Sequence, residues 1–205
     1  IAPLEAVEEL DVSYVSNISQ FGDPDVVIIP GSKNTISDLL WMRQNGLEGK
    51  ILRHAAKGGI VFGICGGYQM LGQSISDPTG AEQKGTVRGM GLLPVTTVFE
   101  QEKRRTRVSG RFAKVGGALA EMSGVCYEGY EIHMGRTVLS KGTVPLVYME
   151  EEGEQRQDGA QSDHVYGCYM HGIFDMSETV KTFLAAVLRK KGIDPSKITV
   201  RDRNA

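Results

Sequence analysis

Short, nearly continuous apolar runs alternate with amphipathic stretches through the first third of the chain. The runs at 26–29 and 60–62 contain only Val, Ile and Phe, as expected of strands buried on both faces of a parallel sheet. A Val-Ser-Tyr-Val stretch at 12–15 predicts one further short strand. Between these runs, apolar residues at helical spacing predict helices over 35–42 and 47–55. This βαβ rhythm predicts a parallel sheet with helices on its faces.

The second half of the chain changes to β-rich runs separated by turns. These runs lie at 92–99, 106–112, 129–138 and 144–149. They fit antiparallel strands added at the edge of a parallel sheet. The polar stretch 150–163 predicts a hairpin tip or a mobile loop, and its glutamates are expected to form a solvated face.

An amphipathic helix is predicted near the end of the chain, beginning at Asp175 or Ser177 and ending at Gly192. Its apolar positions form one stripe: Val180, Phe183, Leu184, Val187 and Leu188. The sequence shows no internal repeat and no convincing domain boundary. It therefore predicts a single α/β domain over residues 1–205.

Composition narrows the class of protein. The 205 residues are 40% hydrophobic, enough for a full core, and the net charge of −2 gives no electrostatic reason to bind nucleic acid or a membrane. No apolar run approaches the roughly 20 residues of a membrane span, and no signal-peptide pattern is present. Three cysteines, a small and odd number, indicate a reducing compartment, so we expect a cytoplasmic protein. Because the chain begins at Ile1 rather than Met, we expect a fragment or trimmed form of a longer protein.

The segment Gly63-Ile64-Cys65-Gly66-Gly67 has the features of a nucleophile on a tight turn. It continues the apolar run 60–62, and residues 68–72 can continue as a helix, so Cys65 would lie between a strand and a helix N-terminus. The flanking glycines permit a strained backbone and leave the sulfur accessible. The helix dipole favours the thiolate, which is the reactive form. A small buried cysteine at a strand end is the alternative interpretation.

A cysteine nucleophile needs a base, and His171 is the candidate among the four histidines. It follows a strand-like run at 165–170 and precedes Gly172. A histidine at the end of a strand lies on the rim of a sheet, where it can act as a general base. Cys65 and His171 are far apart in the sequence, so only the fold can bring them together. An ordinary half-buried histidine is the other interpretation.

Four segments together resemble the cobyric acid synthase branch of the class I glutamine amidotransferases. They are 29–35 (Ile-Pro-Gly-Ser-Lys-Asn-Thr), 63–72 (Gly-Ile-Cys-Gly-Gly-Tyr-Gln-Met-Leu-Gly), 129–135 (Gly-Tyr-Glu-Ile-His-Met-Gly) and 169–172 (Tyr-Met-His-Gly). The resemblance implies a flavodoxin-like α/β fold, in which a parallel sheet has helices on both faces and an antiparallel β extension. In that family a strand precedes the first residue of this chain, so we expect the sheet to lack it here.

The resemblance also implies a function. The chain would be the C-terminal glutaminase domain of a longer ATP-dependent enzyme that amidates adenosylcobyrinic acid a,c-diamide to cobyric acid in cobalamin biosynthesis. Free glutamine would be its substrate, and the N-terminal synthetase domain its partner. No cofactor is expected in this domain, because the P-loop pattern is absent and ATP with Mg²⁺ would bind the synthetase domain. Cys65, Cys126 and Cys168 lack C-x-x-C spacing, so no metal site is predicted.

Glutamine hydrolysis gives roles to further residues. Thiolate Cys65 would attack the side-chain amide, and His171 would protonate the leaving ammonia and then activate water. The N–H groups of Gly66 and Gly31 are the predicted oxyanion hole, although Gly31 taken alone fits a turn glycine. Gln69, on the same helical face as Cys65, could hold the substrate glutamine; otherwise it is an exposed helix residue.

The α-carboxylate of glutamine calls for a cation, and the candidates are Arg107 and Arg136. Arg107 is preferred because related cell-wall amidotransferases keep an arginine in a similar place. A plain surface arginine is the alternative at either position. His133 could line the pocket or be a structural histidine of its strand.

The family's usual His-x-Glu pattern is broken here, because Ile173 occupies the position of the glutamate that orients the histidine. The predicted triad is therefore a dyad within this chain. Asp175 could substitute, although Asp175-Met176-Ser177-Glu178 also fits a capping box, the interpretation we prefer. Glu131 and a carboxylate of the synthetase domain are the other candidates. If the synthetase domain supplies the carboxylate that orients His171, we expect weak glutaminase activity from the isolated chain.

Other functions stay open at this point. A cysteine hydrolase or peptidase on the same fold would use Cys65 and His171 on peptides or esters. A catalytically silent scaffold would have a buried, unreactive Cys65 and no oxyanion hole. Within the amidotransferases, the rivals are cobyrinic acid a,c-diamide synthase and the cell-wall enzymes. The segments at 31–35 and 132–135 favour cobyric acid synthase among these.

Overall fold

The structure is a computed structural model that describes residues 1–151 and 153–197, with the backbone alone for 101–104. The helices are α1 (Ala2–Glu5), α2 (Thr35–Gln44), α3 (Leu47–Ala56), α4 (Gly66–Leu71) and α5 (Ser177–Lys190). The strands are β1 (Val26–Ile29), β2 (Ile60–Ile64), β3 (Ser74–Asp77), β4 (Gly85–Arg88), β5 (Val95–Phe112), β6 (Cys126–Leu139), β7 (Val147–Glu151), β8 (Glu154–Asp158), β9 (Ala160–Ser162), β10 (Val165–Cys168) and β11 (Met170–His171). Short 3₁₀ helices occupy Ile18–Gln20, Gly117–Met122 and Pro195–Lys197.

The first sheet has the order β1-β2-β10-β9. Its first three strands are parallel, and β9 is antiparallel to β10. Every residue of β2 is buried, which explains its unbroken apolar sequence. Because β1, β2 and β10 run in the same direction, their carboxyl ends meet at one edge, where α/β proteins bind their ligands.

The second sheet is mostly antiparallel and has the order β11-β6-β5-β3-β4, with β7 and β8 added alongside β5. Its centre is the long ribbon of β5 and β6, whose register shifts between Val98 and Lys103. The chain passes from β10 of the first sheet to β11 of the second across Tyr169 alone. The two sheets therefore meet beside the carboxyl end of β10, and the predicted antiparallel extension is confirmed.

Several local predictions are corrected by the structure. Residues 12–15 form no strand, because no described strand lies beside them to accept their main-chain hydrogen bonds. Of the two alternatives predicted for 150–163, the hairpin is confirmed, because β7 pairs with β8 there and β9 follows. The last helix begins at Ser177, and its N-cap is Met176 without a side-chain hydrogen bond, so the capping box at Asp175 is wrong.

One continuous apolar core joins both sheets, with Phe62, Tyr68, Phe112, Tyr166 and Phe174 among its fully buried side chains. In the part of the chain that the structure describes, none of the helices has the length and apolar character needed to cross a bilayer.

Candidate active site

Cys65 lies on the turn between β2 and α4, as the sequence predicts. Its backbone has φ 52° and ψ −111°. Within residues 1–151 and 153–197 only Asp163 shares a positive φ among non-glycine residues. Such a conformation costs about 1–3 kcal/mol and persists only when its surroundings hold it. Here the Cys65 N–H donates to the Cys168 carbonyl at 2.9 Å, and the Cys65 carbonyl accepts from the Gln69 N–H at 3.1 Å. The strained turn is thus held by β10 on one side and by α4 on the other.

The glycines around Cys65 are required by close backbone contacts. A Cβ on Gly67 would lie 2.0 Å from the Ile29 carbonyl oxygen, and one on Gly63 would lie 2.8 Å from the Gly67 carbonyl. A Cβ on Gly66 would lie 2.9 Å from the Ser32 nitrogen. The loop after β1 therefore packs directly on the turn that carries Cys65.

Gly31 is the point at which the predicted nucleophile and base meet. A Cβ built there would lie 3.5 Å from the Cys65 Cβ and 2.9 Å from the His171 Cε1. The fold thus brings together Cys65 from the end of β2 and His171 from β11. Gly31 itself lies past the carboxyl end of β1 and lines the space between them.

The surroundings of His171 bear on its capacity as a base. It pairs with Tyr130 in the β11–β6 register, and the two rings stack with centroids 5.2 Å apart and an angle of 6°. Burial lowers the pKa of His171 below its usual 6.5, and the charge of His133 also lowers it. The hydrogen bond to the Ile132 carbonyl acts to raise this pKa. The same Ile132 carbonyl accepts a hydrogen bond from the Cys65 thiol at 3.3 Å. A neutral imidazole near pH 7 is the form that can accept a proton from a thiol.

The two predicted oxyanion donors lie in suitable elements. The Gly66 N–H is the first of α4, so it has no acceptor within its own helix. Gly31 follows β1, the strand next to β2. Their role in holding an oxyanion stays a prediction.

Gln69 lies in surroundings different from those predicted. The residue is 2% exposed, so it is not an exposed helix residue. Its Nε2 donates to the Met134 carbonyl and to the Tyr169 hydroxyl, each at 3.0 Å, and its Oε1 accepts from Thr35 at 3.4 Å. These bonds tie α4 to β6 and to the loop after β10. Contact of Gln69 with substrate stays a prediction, since its amide already has protein partners.

The two candidate arginines lie on β5 and β6. Arg107 pairs with Tyr130 in the β5–β6 register, so it lies on the same sheet face as Tyr130 and its neighbour His171. Its side chain is 87% exposed and meets Glu128 only at 4.0 Å, which leaves the guanidinium available to a ligand. Arg136 instead forms an exposed ion pair with Glu100 at 3.4 Å. The register favours Arg107, and binding of the α-carboxylate stays a prediction.

The carboxylate of Glu131 points to a cluster of its own. One oxygen lies 2.5 Å from Arg156 and the other 3.6 Å from His133. Neighbouring strand residues point to opposite faces, so Glu131 lies on the other side of β6 from Tyr130 and its contact with His171. His133 bonds the Gly135 carbonyl through Nδ1 and stacks on Tyr169, as expected of a structural histidine.

A cavity of about 370 Å³ lies on this second face of β6. Neither Cys65 nor His171 lines it, so it is separate from the predicted nucleophile and base. The Tyr68 hydroxyl and His133 Nε2 border it and are buried without a hydrogen-bond partner among the described residues. Asp158 also lines the cavity, and burial raises its pKa to about 6. The charge of Glu131 raises this pKa further, whereas two backbone N–H groups and Arg156 act to lower it. The cavity therefore adjoins a buried polar cluster rather than the reacting atoms.

Sequence reasoning missed Tyr130, the Ile132 carbonyl and Tyr169. Tyr130 and Ile132 belong to the segment 129–135 that the sequence singles out, but their contacts depend on the pairing of β6 with β11. That pairing joins residues about 40 positions apart, and no local pattern signals it.

Comparison with known proteins shows the family to which the chain is similar. The sequence profile of the CobB/CobQ-like glutamine amidotransferase domain matches residues 1–179. The chain is 52% identical over 200 residues to a cobyric acid synthase of Ruminiclostridium cellulolyticum, an alignment that covers 96% of this chain and 39% of that protein. The chain spans about two fifths of the length of the curated relatives it matches.

Solved structures share the fold at low sequence identity. The PurLQS structure from Thermotoga maritima has a TM-score of 0.62 at 18% identity, covering 87% of this chain and 85% of that one. A structure described as a glutamine amidotransferase has a TM-score of 0.58 at 15% identity, covering 90% and 88%. These likenesses confirm the predicted α/β fold of the class I amidotransferases.

Proposed function

The chain belongs to the CobB/CobQ-like glutamine amidotransferase family, and from this membership we propose that it hydrolyses glutamine at Cys65 with His171 as the acid and base. The ammonia released would serve an ATP-dependent amidation carried out elsewhere in a longer enzyme. The observation that carries the proposal is the meeting of Cys65 and His171 at Gly31, within 4 Å of one point.

The reaction follows from this arrangement. The Cys65 thiol gives its proton to His171, and the thiolate attacks the amide carbon of glutamine. The tetrahedral oxyanion is held by the N–H groups of Gly66 and Gly31. It collapses as the imidazolium protonates the departing nitrogen, which releases ammonia and leaves a thioester on Cys65. His171 then takes a proton from water, and the hydroxide displaces the sulfur to give glutamate.

Substrate binding would use the groups that surround this space. The exposed guanidinium of Arg107 is available for the α-carboxylate of glutamine. Gln69 would support the site by holding Met134 and Tyr169 in place, and it could also meet the substrate if one of those bonds opens.

The acceptor is proposed from the relatives. Those aligned over nearly the whole of this chain are named cobyric acid synthase, and each contains a further portion that the chain does not match. We infer that this portion is the synthetase, that it binds ATP and Mg²⁺, and that it amidates adenosylcobyrinic acid a,c-diamide. Cys65, Cys126 and Cys168 form no disulfide with one another, in keeping with a reducing cytoplasm.

The test is covalent labelling with an electrophilic glutamine analogue, followed by intact-mass measurement. We expect one adduct per chain, lost in Cys65→Ser and retained in Cys126→Ser, which removes the exposed cysteine. Protection by free glutamine, but not by a peptide, would separate a glutaminase from a peptidase.

An unlabelled chain has two explanations, and the full-length enzyme separates them. If the full-length enzyme is labelled, the synthetase domain is needed to complete the pocket. If neither form is labelled and neither hydrolyses glutamine, the proposal is refuted in favour of a silent scaffold.

A further inference from the structure

We propose that the Tyr130 ring positions His171 for proton transfer, in the role that a carboxylate has in a catalytic triad. The inference rests on the proposed glutaminase function. It makes Tyr130 a positioning residue, because its contact is with the base rather than with the reacting atoms of glutamine.

The stacking geometry is the first support. The two rings are nearly parallel, at 6°, with centroids 5.2 Å apart, within the range of offset-stacked aromatic pairs. The register of β6 with β11 places the two residues directly opposite each other, so the contact is built into the sheet. A stacked face restricts rotation of the imidazole about its Cβ–Cγ bond, which is the motion that a triad carboxylate also restricts.

The second support is the confinement of the imidazole at its edge. A Cβ at Gly31 would lie only 2.9 Å from the His171 Cε1, so the backbone of the loop after β1 stands against that edge. The Ile132 carbonyl faces the ring and favours its protonated form. The imidazole is thus held by Tyr130 across one face, by Gly31 at one edge and by a main-chain acceptor.

The third support comes from two of the positions that could orient the base, Ile173 and Glu131. Ile173, at the position of the family's glutamate, is apolar and 1% exposed. Glu131 directs its carboxylate to Arg156 and His133 on the other side of β6. The electron-rich face of a tyrosine can stabilise an imidazolium when Cys65 gives up its proton, although it cannot accept that proton.

The test compares Tyr130→Ala with Tyr130→Phe in the full-length enzyme, with Tyr14→Ala as a matched control at an exposed tyrosine. Tyr130→Ala should lower kcat for glutamine hydrolysis about tenfold, since loss of alignment costs rate even when binding is intact. Its KM should stay within about twofold, and the acidic limb of its pH–rate profile should move. Tyr130→Phe keeps the ring and should restore both kcat and the profile. Equal melting temperatures would show that the variants are folded.

Three results would overturn the proposal. One is an unchanged kcat and pH profile in Tyr130→Ala. Another is a loss in Tyr130→Phe as large as in Tyr130→Ala, which would give the role to the hydroxyl. The third is a rise in KM alone, which would make Tyr130 a substrate contact.

A second measurement separates this proposal from the proposed function. Histidine ¹⁵N NMR of the same proteins reports the tautomer and titration of His171 without any turnover. We expect both to change in Tyr130→Ala and to be kept in Tyr130→Phe. If the unmodified enzyme hydrolyses no glutamine, the proposed function fails while the NMR still decides the positioning role. Identical His171 signals in all variants would then refute it.

Discussion

Gly31→Ala is the most direct test of the meeting of Cys65 and His171. The change adds one methyl group in the space where the two side chains converge. It does not strain the backbone, because Gly31 is not among the residues with positive φ. Its Cβ would lie 2.9 Å from the His171 Cε1, 3.7 Å from Nε2 and 3.5 Å from the Cys65 Cβ. The imidazole is therefore the group that must move.

The size of that movement follows from ordinary contact distances. Two carbon atoms in contact are about 3.5–4.0 Å apart, so the ring must withdraw by about 0.6 Å or more. Retreat is restricted because the ring already stacks on Tyr130. A misplacement of about 1 Å can cost about 100-fold in rate, so we expect kcat to fall about 10- to 100-fold. The melting temperature should change little, since the methyl group enters the site rather than the core.

The assay measures glutamate formation and the rate of labelling by the glutamine analogue, together with thermal melting. Gly49→Ala is the matched control, because a Cβ there would meet only the Arg53 guanidinium, at 3.9 Å. That change should leave the activity intact and could stabilise α3 by up to about 1 kcal/mol. Full activity in Gly31→Ala would refute the convergence of Cys65 and His171 at Gly31. A fall in melting temperature large enough to explain the lost activity by unfolding would also refute it.

Three further predictions concern folding and pH. Gly67→Ala should prevent folding, because its Cβ would lie 2.0 Å from the Ile29 carbonyl oxygen; a cooperative melt near that of the unmodified protein would contradict this. Burial raises the pKa of Asp158 from 3.8 to about 6, so the folded state prefers the neutral carboxyl. The stability that this preference contributes at low pH is lost as the pH rises through about 6. In urea unfolding, the free energy of unfolding should therefore fall by about 2–3 kcal/mol between pH 4 and 7, and Asp158→Asn should remove most of this fall. An equal dependence on pH in the unmodified protein and in Asp158→Asn would contradict the prediction. Burial lowers the pKa of His171, so the acidic limb of kcat/KM should lie below pH 6.5, and a limb at or above 6.5 would be inconsistent with His171 as the base.

The parts of the fold that sequence predicts well are those set by local chemistry. The unbroken apolar run of β2 and the glycines around Cys65 indicate a buried strand followed by a sharp turn, and both are present. The long β5–β6 ribbon is less predictable, because residues 100–106 are polar and charged, although the backbone of 103–106 still pairs with β6. Because these polar and charged residues interrupt the apolar alternation, periodicity does not reveal the length of the ribbon.

Two wrong predictions, the strand at 12–15 and the exposure of Gln69, have the same physical origin. The 12–15 stretch has the composition of a strand, but a strand forms only where a neighbour accepts its hydrogen bonds. Gln69 has the composition of an exposed helix residue, but α4 is buried along its entire length and supplies a polar side chain to three partners. In both cases long-range packing decides the outcome, and a single sequence carries little information about it.

The replacement of the family's glutamate by Ile173 shows how sequence and structure combine. Sequence alone identifies the deviation, because Ile173 cannot orient an imidazole, and it leads to a search for another carboxylate. The structure indicates a different solution, since the strand that carries His171 is paired with the strand that carries Tyr130. A backbone pairing brings an aromatic face to the base, while Glu131, the next residue, points to the far side of the sheet. Moving that register by one residue would exchange the two side chains, so the pairing of β6 with β11 determines which kind of group stands beside His171.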